Sequence, residues 1–455
     1  LFLAPAAKRL LPASSAVANL FSPESVAPRV HTAMGPTIRS QPSVFAAPGA
    51  SKKVGARAKS LGADSVFIVS DEGLSRLGVV GAIVDSVKEV GLEATVFDEV
   101  IPNPTVSNVD KGARILQGLQ GNPVVVTLGG GSVMDAGKCM AAMKSSPGRS
   151  IADFMAMPKL DPETDYIDIR SLAVRVRPTG PAPIIAVPTT SGTGSETNGA
   201  AVVTDDASHK KLFFSDESAK ASIIILDPAL TQGMPVYPSA CCGFDVLSHA
   251  MEAFTSNQTN AVSDALALGA IRIVAEYLPK LVKDPKNLEI RSQMQLGSYM
   301  AASAFSIAQL GLIHATGHQL TALYNQPHGQ TLATMAPHVM RFNIAGGKMH
   351  KKYAQVAEAF GVFDPRRSIE ENAHRAVDAV ARLSIEVGTA KSIQMLGGKP
   401  DDVAKLTELA LLDVNGIFGA RPGMRQDIKE MFEAAMNDPQ LYPPPAAEKT
   451  MTARL

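Results

Sequence analysis

The sequence predicts an α/β nucleotide-binding domain on a mostly parallel, Rossmann-like sheet, followed by an all-helical domain. Three observations carry this. Apolar strand-like runs alternate with helix-like stretches from about residue 51. Strand signals stop after about residue 238, and long helical stretches take over. The chain has 455 residues, too many for one ordinary domain, and 45% of them are hydrophobic, enough for a large core.

Taken in order, residues 63–70 hold the apolar run Val66-Phe67-Ile68-Val69 between Asp64 and Asp71, a strand, and 74–90 read as a helix. A short strand at 94–97 precedes the turn-like Ile101-Pro102-Asn103-Pro104-Thr105 and a helix at 110–119. Buried strands are expected at 123–128 and 183–187, with a helix at 132–143 after the first. Residues 147–180, with prolines at 147, 158, 162 and 178, read as a surface insertion between them. Helices follow at 245–254, 261–282 and 288–308, and onward to Met436. Pro235 and Pro238 mark the joint, so the domains are set at 46–234 and 235–455.

Residues 1–45 differ in composition, with Lys8, Arg9, Arg29 and Arg39 against one acid, Glu24, and much Ala, Ser and Pro. That suits an organelle transit peptide, mitochondrial before plastid. Lys plus Arg and Asp plus Glu are both 43, so no basic stripe suggests nucleic acid. There is no Trp and only 7 Tyr to stack on bases. No apolar run reaches the roughly 18 residues of a membrane span. Cys139, Cys241 and Cys242 cannot form a disulfide framework and suit a reducing compartment.

Two loops carry the nucleotide reading. Gly129-Gly130-Gly131-Ser132 ends a strand and opens a helix, where Ser132 and Asp135 make a capping-box pattern. Glycines let the backbone approach a ligand, and a helix N-terminus attracts a pyrophosphate. Pro188-Thr189-Thr190-Ser191-Gly192-Thr193-Gly194-Ser195-Glu196 follows the next strand and would lie beside the first loop. The standard dinucleotide fingerprint does not fit: its acid follows the glycines, whereas Asp71 precedes them by nearly sixty residues.

Histidines carry the metal reading. Asp245 and His249 are four apart in a helix-like stretch, as are His314 and His318, and His328 follows. Mainly apolar residues lie between them. One Asp with three His makes an N/O set suited to Fe(II) or Zn(II) with a position left open. The spacing leaves open whether His314 or His318 is the ligand.

These stretches resemble the iron-containing alcohol dehydrogenase family over residues 45–437. The matching motifs are 101–105, Gly129 to Ser132 with Asp135 and Lys138, Pro188 to Glu196, Gly243-Phe244-Asp245 with His249, and Gly311 to Gly329. The resemblance implies a dehydroquinate synthase-like fold with the site in the cleft between domains. It implies metal at Asp245, His249, His314 and His328, with His318 as a nearby non-ligand. It implies NAD held by Asp71, Asn103, Gly130, Gly131, Ser132, Asp135, Thr189, Thr190, Ser191 and Lys211. A homodimer is expected, with a small alcohol or aldehyde as substrate.

The implied chemistry has the metal polarising the substrate oxygen, hydride passing to or from nicotinamide, and His318 relaying the proton. Phe254, Phe305, Leu310 and Tyr324 are expected to wall the pocket. One alternative is a hydroxyacid–oxoacid transhydrogenase of the same family, which retains its nucleotide. Another is a dehydroquinate synthase-like lyase, disfavoured because 244–252 and 311–329 contain no Lys or Arg to hold a phosphorylated substrate. A non-catalytic metal- or nucleotide-binding protein is the third.

Overall fold

The computed structural model describes residues 42–161, 166–168, 171, 176, 178–208 and 210–438. Six strands form one parallel sheet, and among the described residues two antiparallel pairs accompany it. The strands are β1 (Ser43–Ala46), β2 (Ser65–Val69), β3 (Glu93–Phe97), β4 (Pro123–Gly129), β5 (Leu160–Asp161), β6 (Tyr166–Ile167), β7 (Ile184–Pro188), β8 (Ala200–Thr204), β9 (Lys211–Ser215) and β10 (Ile223–Leu226). The parallel sheet runs β1-β10-β7-β4-β2-β3. Its helices are α1 (Val54–Ser60), α2 (Glu72–Arg76), α3 (Val79–Lys88), α4 (Val106–Gly118) and α5 (Gly131–Ala142).

All seven residues of β4 are buried, as expected of a central strand with both faces covered. Alternation divides the side chains between two cores. Phe67, Val69 and Val125 face one; Val66, Ile68, Val124 and Val126 face the other. The chain steps from β2 outward to β3, then returns to β4 on the other side of β2. The carboxyl ends of β2 and β4 therefore flank the switch point where α/β sheets bind ligands.

Several expectations need correction. The helix read over 74–90 is two helices, because Gly78 adopts a left-handed φ of 77° between α2 and α3. The helix read from 110 begins at Val106, capped by Thr105, whose side chain accepts from the Asn108 N–H. The sequence reading assigns no strand to Ile223–Leu226, yet this run is β10 and fully buried. Four apolar residues carry no periodicity with which to tell strand from helix. The insertion at 147–180 is not all surface: Ile151 and Phe154 are buried in the sheet domain's core, and Ala156 bridges to Phe213.

The extension set at 1–45 overlaps β1. Residues 1–41 lie outside the described residues, but Ser43–Ala46 pairs in register with Ile223–Leu226. The following turn is tied to the domain joint. Asp227, 1% exposed, accepts from Gly49 N at 2.9 Å, Ser51 N at 3.0 Å and Ser51 Oγ at 2.6 Å. Phe45 packs on the core beneath the Arg57 guanidinium, 3.5 Å from the ring centroid. A chain beginning at Pro48 lacks this strand and bares the edge of β10. It is expected to lose roughly 3 kcal/mol or more, from one partly buried aromatic and a strand of backbone pairing. Thermal melting beside a chain beginning at Gln41 tests this; equal melting temperatures would show β1 to be dispensable.

The second domain is helical: α6 (Val236–Thr255), α7 (Ala261–Lys283), α8 (Leu288–Ala308), α9 (Leu312–Tyr324), α10 (His328–Ala345), α11 (His350–Ala359), α12 (Ile369–Glu386), α13 (Val403–Leu411) and α14 (Arg425–Met436). Helices α6, α7 and α8 pack mutually around Phe244, Leu247, Met251, Ile271 and Val274. Among the described residues no single helix is long and apolar enough to cross a membrane. The three cysteines are free.

The domains meet along α8. Gln295 Nε2 donates to Pro188 O at 3.4 Å, Ser298 Oγ donates to Gly192 O at 3.4 Å, and Thr197 Oγ1 lies 3.1 Å from Ser306 Oγ. The second loop thus rests on the helical domain.

Candidate active site

Helix α6 presents Asp245, His249 and Glu252 at i, i+4 and i+7, one face of one helix. Helix α9 brings His314 and His318, and α10 starts on His328. Asp245, His249 and His314 are 3%, 5% and 1% exposed. Asp245 Oδ1 lies 3.4 Å from His249 Nε2, 3.6 Å from His314 Nε2 and 3.5 Å from His328 Nε2. Ligand-capable atoms of Asp245, His249 and His314 all fall within 4.8 Å of one another.

The decisive feature is what these atoms lack. Asp245 Oδ1 and His314 Nε2 are buried with no hydrogen-bond partner. Each such orphan costs about 1–3 kcal/mol. Three imidazoles and a carboxylate converging without hydrogen bonds fit a divalent cation.

The electrostatics agree. Burial pushes His249 down to about 4 despite Asp245 beside it, which leaves a neutral imidazole. His328 is pushed the same way by burial among the other rings, although 32% of its side chain stays accessible. Burial would raise the Asp245 carboxyl, but the facing imidazoles hold it well below the usual carboxylate range. Burial would lower His314 too, but Glu252 and Asp245 on either side raise it to about 9.

The candidate nucleotide residues lie at the switch point. Helix α5 starts at Gly131 with Gly130 as its cap and no side chain on its first N–H groups. The expected capping box is absent because the helix begins earlier than read. Ser132 Oγ instead accepts from Asn103 N at 3.3 Å, and uncapped amides suit an anion. The two loops touch: a Cβ on Gly130 would lie 3.4 Å from Thr190 Cγ2, and one on Gly131 would lie 2.9 Å from Thr193 Cγ2. Thr189 and Ser191 are buried, and Ser191 Oγ is another orphan. Lys211 Nζ donates to Asn103 Oδ1 at 2.9 Å and to Thr204 Oγ1 at 3.0 Å.

Two candidate nucleotide residues have structural partners. Asp71 caps α2, with Oδ1 accepting from Leu74 N at 3.0 Å. Asp135 uses both oxygens within the protein, accepting from Ser195 Oγ at 2.6 Å and Val202 N at 2.9 Å. Lys138 is likewise spent, donating to Ser195 O at 3.0 Å and to Ser195 Oγ at 2.6 Å. Both side chains brace the second loop against α5.

Comparison with known proteins places this geometry. The family described as "Iron-containing alcohol dehydrogenase" matches residues 42–228, and "Fe-containing alcohol dehydrogenase family, C-terminal" matches 239–436. The chain belongs to the iron-containing alcohol dehydrogenase family. It is therefore an oxidoreductase of alcohols and aldehydes that works with NAD and a divalent metal. The 1,3-propanediol dehydrogenase of Citrobacter freundii is 35% identical over 394 residues, covering 86% of this chain and 96% of that protein. A crystal structure of 1,3-propanediol oxidoreductase superposes with a TM-score of 0.79 at 34% identity, covering 87% and 98% of the two chains. Sulfoacetaldehyde reductase from Bifidobacterium kashiwanohense in complex with NAD+ gives 0.75 at 27%, covering 88% and 99%.

Within this alcohol dehydrogenase, two site residues escape the sequence reading. Asp413 Oδ2 lies 2.7 Å from His318 Nδ1, fixing the ring from nearly a hundred residues away, a pairing that no local spacing announces. Glu252 Oε2 lies 2.5 Å from His314 Nδ1. Its signal is visible in hindsight, as an acid seven residues after Asp245 on the helix face that also carries His249. Of the expected pocket walls, Phe305 meets the site, its ring 4.6 Å from that of His249. Phe254 does not: it is 1% exposed and belongs to the helical core. Tyr324 turns its hydroxyl to Asp402 at 3.0 Å.

Proposed function

We propose that this enzyme interconverts a small alcohol and its aldehyde or ketone, with NAD as hydride carrier and one divalent metal held by Asp245, His249, His314 and His328. The observation carrying this is the pair of unpartnered, buried ligand atoms, Asp245 Oδ1 and His314 Nε2, inside a ring of imidazoles. A bound cation, Fe(II) by this reading with Zn(II) chemically compatible, would polarise the substrate oxygen as a Lewis acid.

The chain's own residues do the rest. The uncapped start of α5 and the hydroxyls of Thr189, Thr190 and Ser191 would hold the pyrophosphate. The loop they sit on rests on α8, whose Phe305 packs against His249, so a nucleotide and a metal held there would face one cleft. His318, with 36% of its side chain accessible and Nδ1 held by Asp413, has Nε2 left to move the substrate's proton. Relatives that act on 1,3-propanediol and sulfoacetaldehyde support a short substrate.

Purified enzyme loaded with Fe(II) or Zn(II) should oxidise NADH with one of a panel of short aldehydes. Absence of turnover across the panel under both metals overturns this reading. Turnover of a hydroxyacid–oxoacid pair without added nucleotide would favour the transhydrogenase instead.

NAD is expected to be preferred over NADP. Asp71 lies just after β2 at the switch point, where its carboxylate would accept from a ribose 2′-OH and repel a 2′-phosphate. Asp71→Gly is expected to narrow the preference by about 10-fold, equal to 1.4 kcal/mol. The loss of the α2 cap should cost only a few tenths of a kcal/mol, since Gly tolerates that position. Ratios of kcat/KM for the two nucleotides test it; a wild type that prefers NADP overturns it.

We also propose a homodimer, testable by light scattering on the eluting protein. Residues 1–41 would direct the protein to an organelle, mitochondrion first. The basic, acid-poor composition supports this, and a fluorescent fusion of that segment that stays in the cytosol would refute it.

A further inference from the structure

We propose that Glu252 is a positioning residue that fixes the ring tautomer of His314 and thereby sets the affinity of the site for a divalent cation. This rests on the reading of Asp245, His249, His314 and His328 as a cation site. Glu252 is 4% exposed, and among the described residues its ion-pair partner is His314 rather than a Lys or Arg. A carboxylate so buried is tolerated only when its lone pairs are filled. Three donors fill them. Oε1 accepts from Ile313 N at 2.5 Å; Oε2 accepts from His314 N at 3.4 Å and lies 2.5 Å from His314 Nδ1. Two of these donors are orphan amides in the first turn of α9, where the helix dipole favours a negative charge.

One side chain thus joins two of the three helices that carry the proposed ligands. From the face of α6 that carries Asp245 and His249, it caps α9 and orients the imidazole α9 supplies. The approach needs glycine at 311: a Cβ there would sit 2.9 Å from Glu252 Oε1 and 3.2 Å from Gly419 Cα.

The tautomer matters because two carboxylates flank one ring. Asp245 Oδ1 lies 3.6 Å from His314 Nε2 and is itself unpartnered. A proton on Nε2 would turn toward Asp245 and tie up two ligand atoms in one internal hydrogen bond. Glu252, at 2.5 Å, holds the proton on Nδ1 instead. Nε2 is then left as a lone pair where the other ligand atoms converge. Carboxylates that orient ligating histidines in this way are typically worth about 10–100-fold in metal affinity.

Glu252→Gln keeps an oxygen for the amide of Ile313 but sets an NH2 group against Nδ1–H. The ring must then shift its proton to Nε2 or turn away. Zn(II) and Co(II) affinities of the metal-stripped full chain are read by chelator competition, and the Co(II) absorption spectrum reports the ligand field. Glu252→Gln is expected to bind both metals about 10–100-fold more weakly with an altered Co(II) spectrum, while NAD binding is unchanged. Glu252→Asp, which keeps the charge, is expected to fall between the two. His314→Ala separates the two claims. If it binds Zn(II) like wild type, the cation-site reading fails. If it loses Zn(II) while Glu252→Gln keeps wild-type affinity and spectrum, the Glu252 proposal alone fails. Should Glu252→Gln not fold, the zinc-loaded wild type decides by nitrogen-15 imidazole NMR. A hydrogen-bonded proton on His314 Nδ1 supports the proposal, and its absence overturns it.

Discussion

Asp245→Asn and His328→Ala are each expected to leave the purified enzyme with far less than one divalent metal per chain and with at least about a 10³-fold loss of kcat/KM. Polarisation of a substrate oxygen by a metal is worth several kcal/mol, and each 1.36 kcal/mol is tenfold in rate. Asp245 should be the more damaging, because its Oδ1 stands 3.4–3.6 Å from all three Nε2 atoms and is the one anionic donor of the four proposed. His328 sits at the accessible end of the cluster, so its loss should leave residual weak binding. Metal analysis after gel filtration, with NAD affinity as the control for folding, reads both. Full metal occupancy in either variant would remove that residue from the ligand set.

His318→Gln is expected to lower kcat by about 10²- to 10⁴-fold, with metal content and NAD affinity near wild type. The ring lies 5.0 Å from that of His328 and 5.7 Å from that of His314, beside the cluster, with Nδ1 engaged by Asp413. Asp413→Asn should fall in the same direction by a smaller factor, because the ring keeps a partner but loses the carboxylate that sets its tautomer. Steady-state kinetics normalised to bound metal make the test. If His318→Gln sheds metal while turnover per bound metal holds, His318 is a brace or a ligand and has no part in proton transfer.

The order of legibility follows the reach of each interaction. Helix α8 is read at Leu288–Ala308, the bounds observed, because a long proline-free run opened by an Asn287 cap is a local signal. β2, β4 and β7 are read within one or two residues, because buried apolar runs are local as well. β1 and the β8–β9 hairpin are missed. β1 is four residues of modest hydrophobicity made a strand only by β10, and the hairpin is held by Asp135 and Lys138 from α5. The supposed capping box fails for the complementary reason: Ser132 and Asp135 have the right spacing, but tertiary partners claim both.

At the site, the sequence by itself determined which chemistry is available. Asp245 with His249 and His314 with His318 stand at helix-face spacings, and two glycine- and hydroxyl-rich loops follow strands. It could not choose between His314 and His318, since i and i+4 share a face. The tertiary structure sets the two rings apart. It aims His314 Nε2 at Asp245, and it turns His318 Nδ1 to Asp413, 95 residues away. It also sets Glu252 against His314 Nδ1, while Phe254, two residues further on, packs into the helical core. The physical reason is one of direction. Spacing along a helix determines which residues share a face, but only packing against a second helix determines what that face meets. The tautomer and angle of a buried imidazole follow from what it meets.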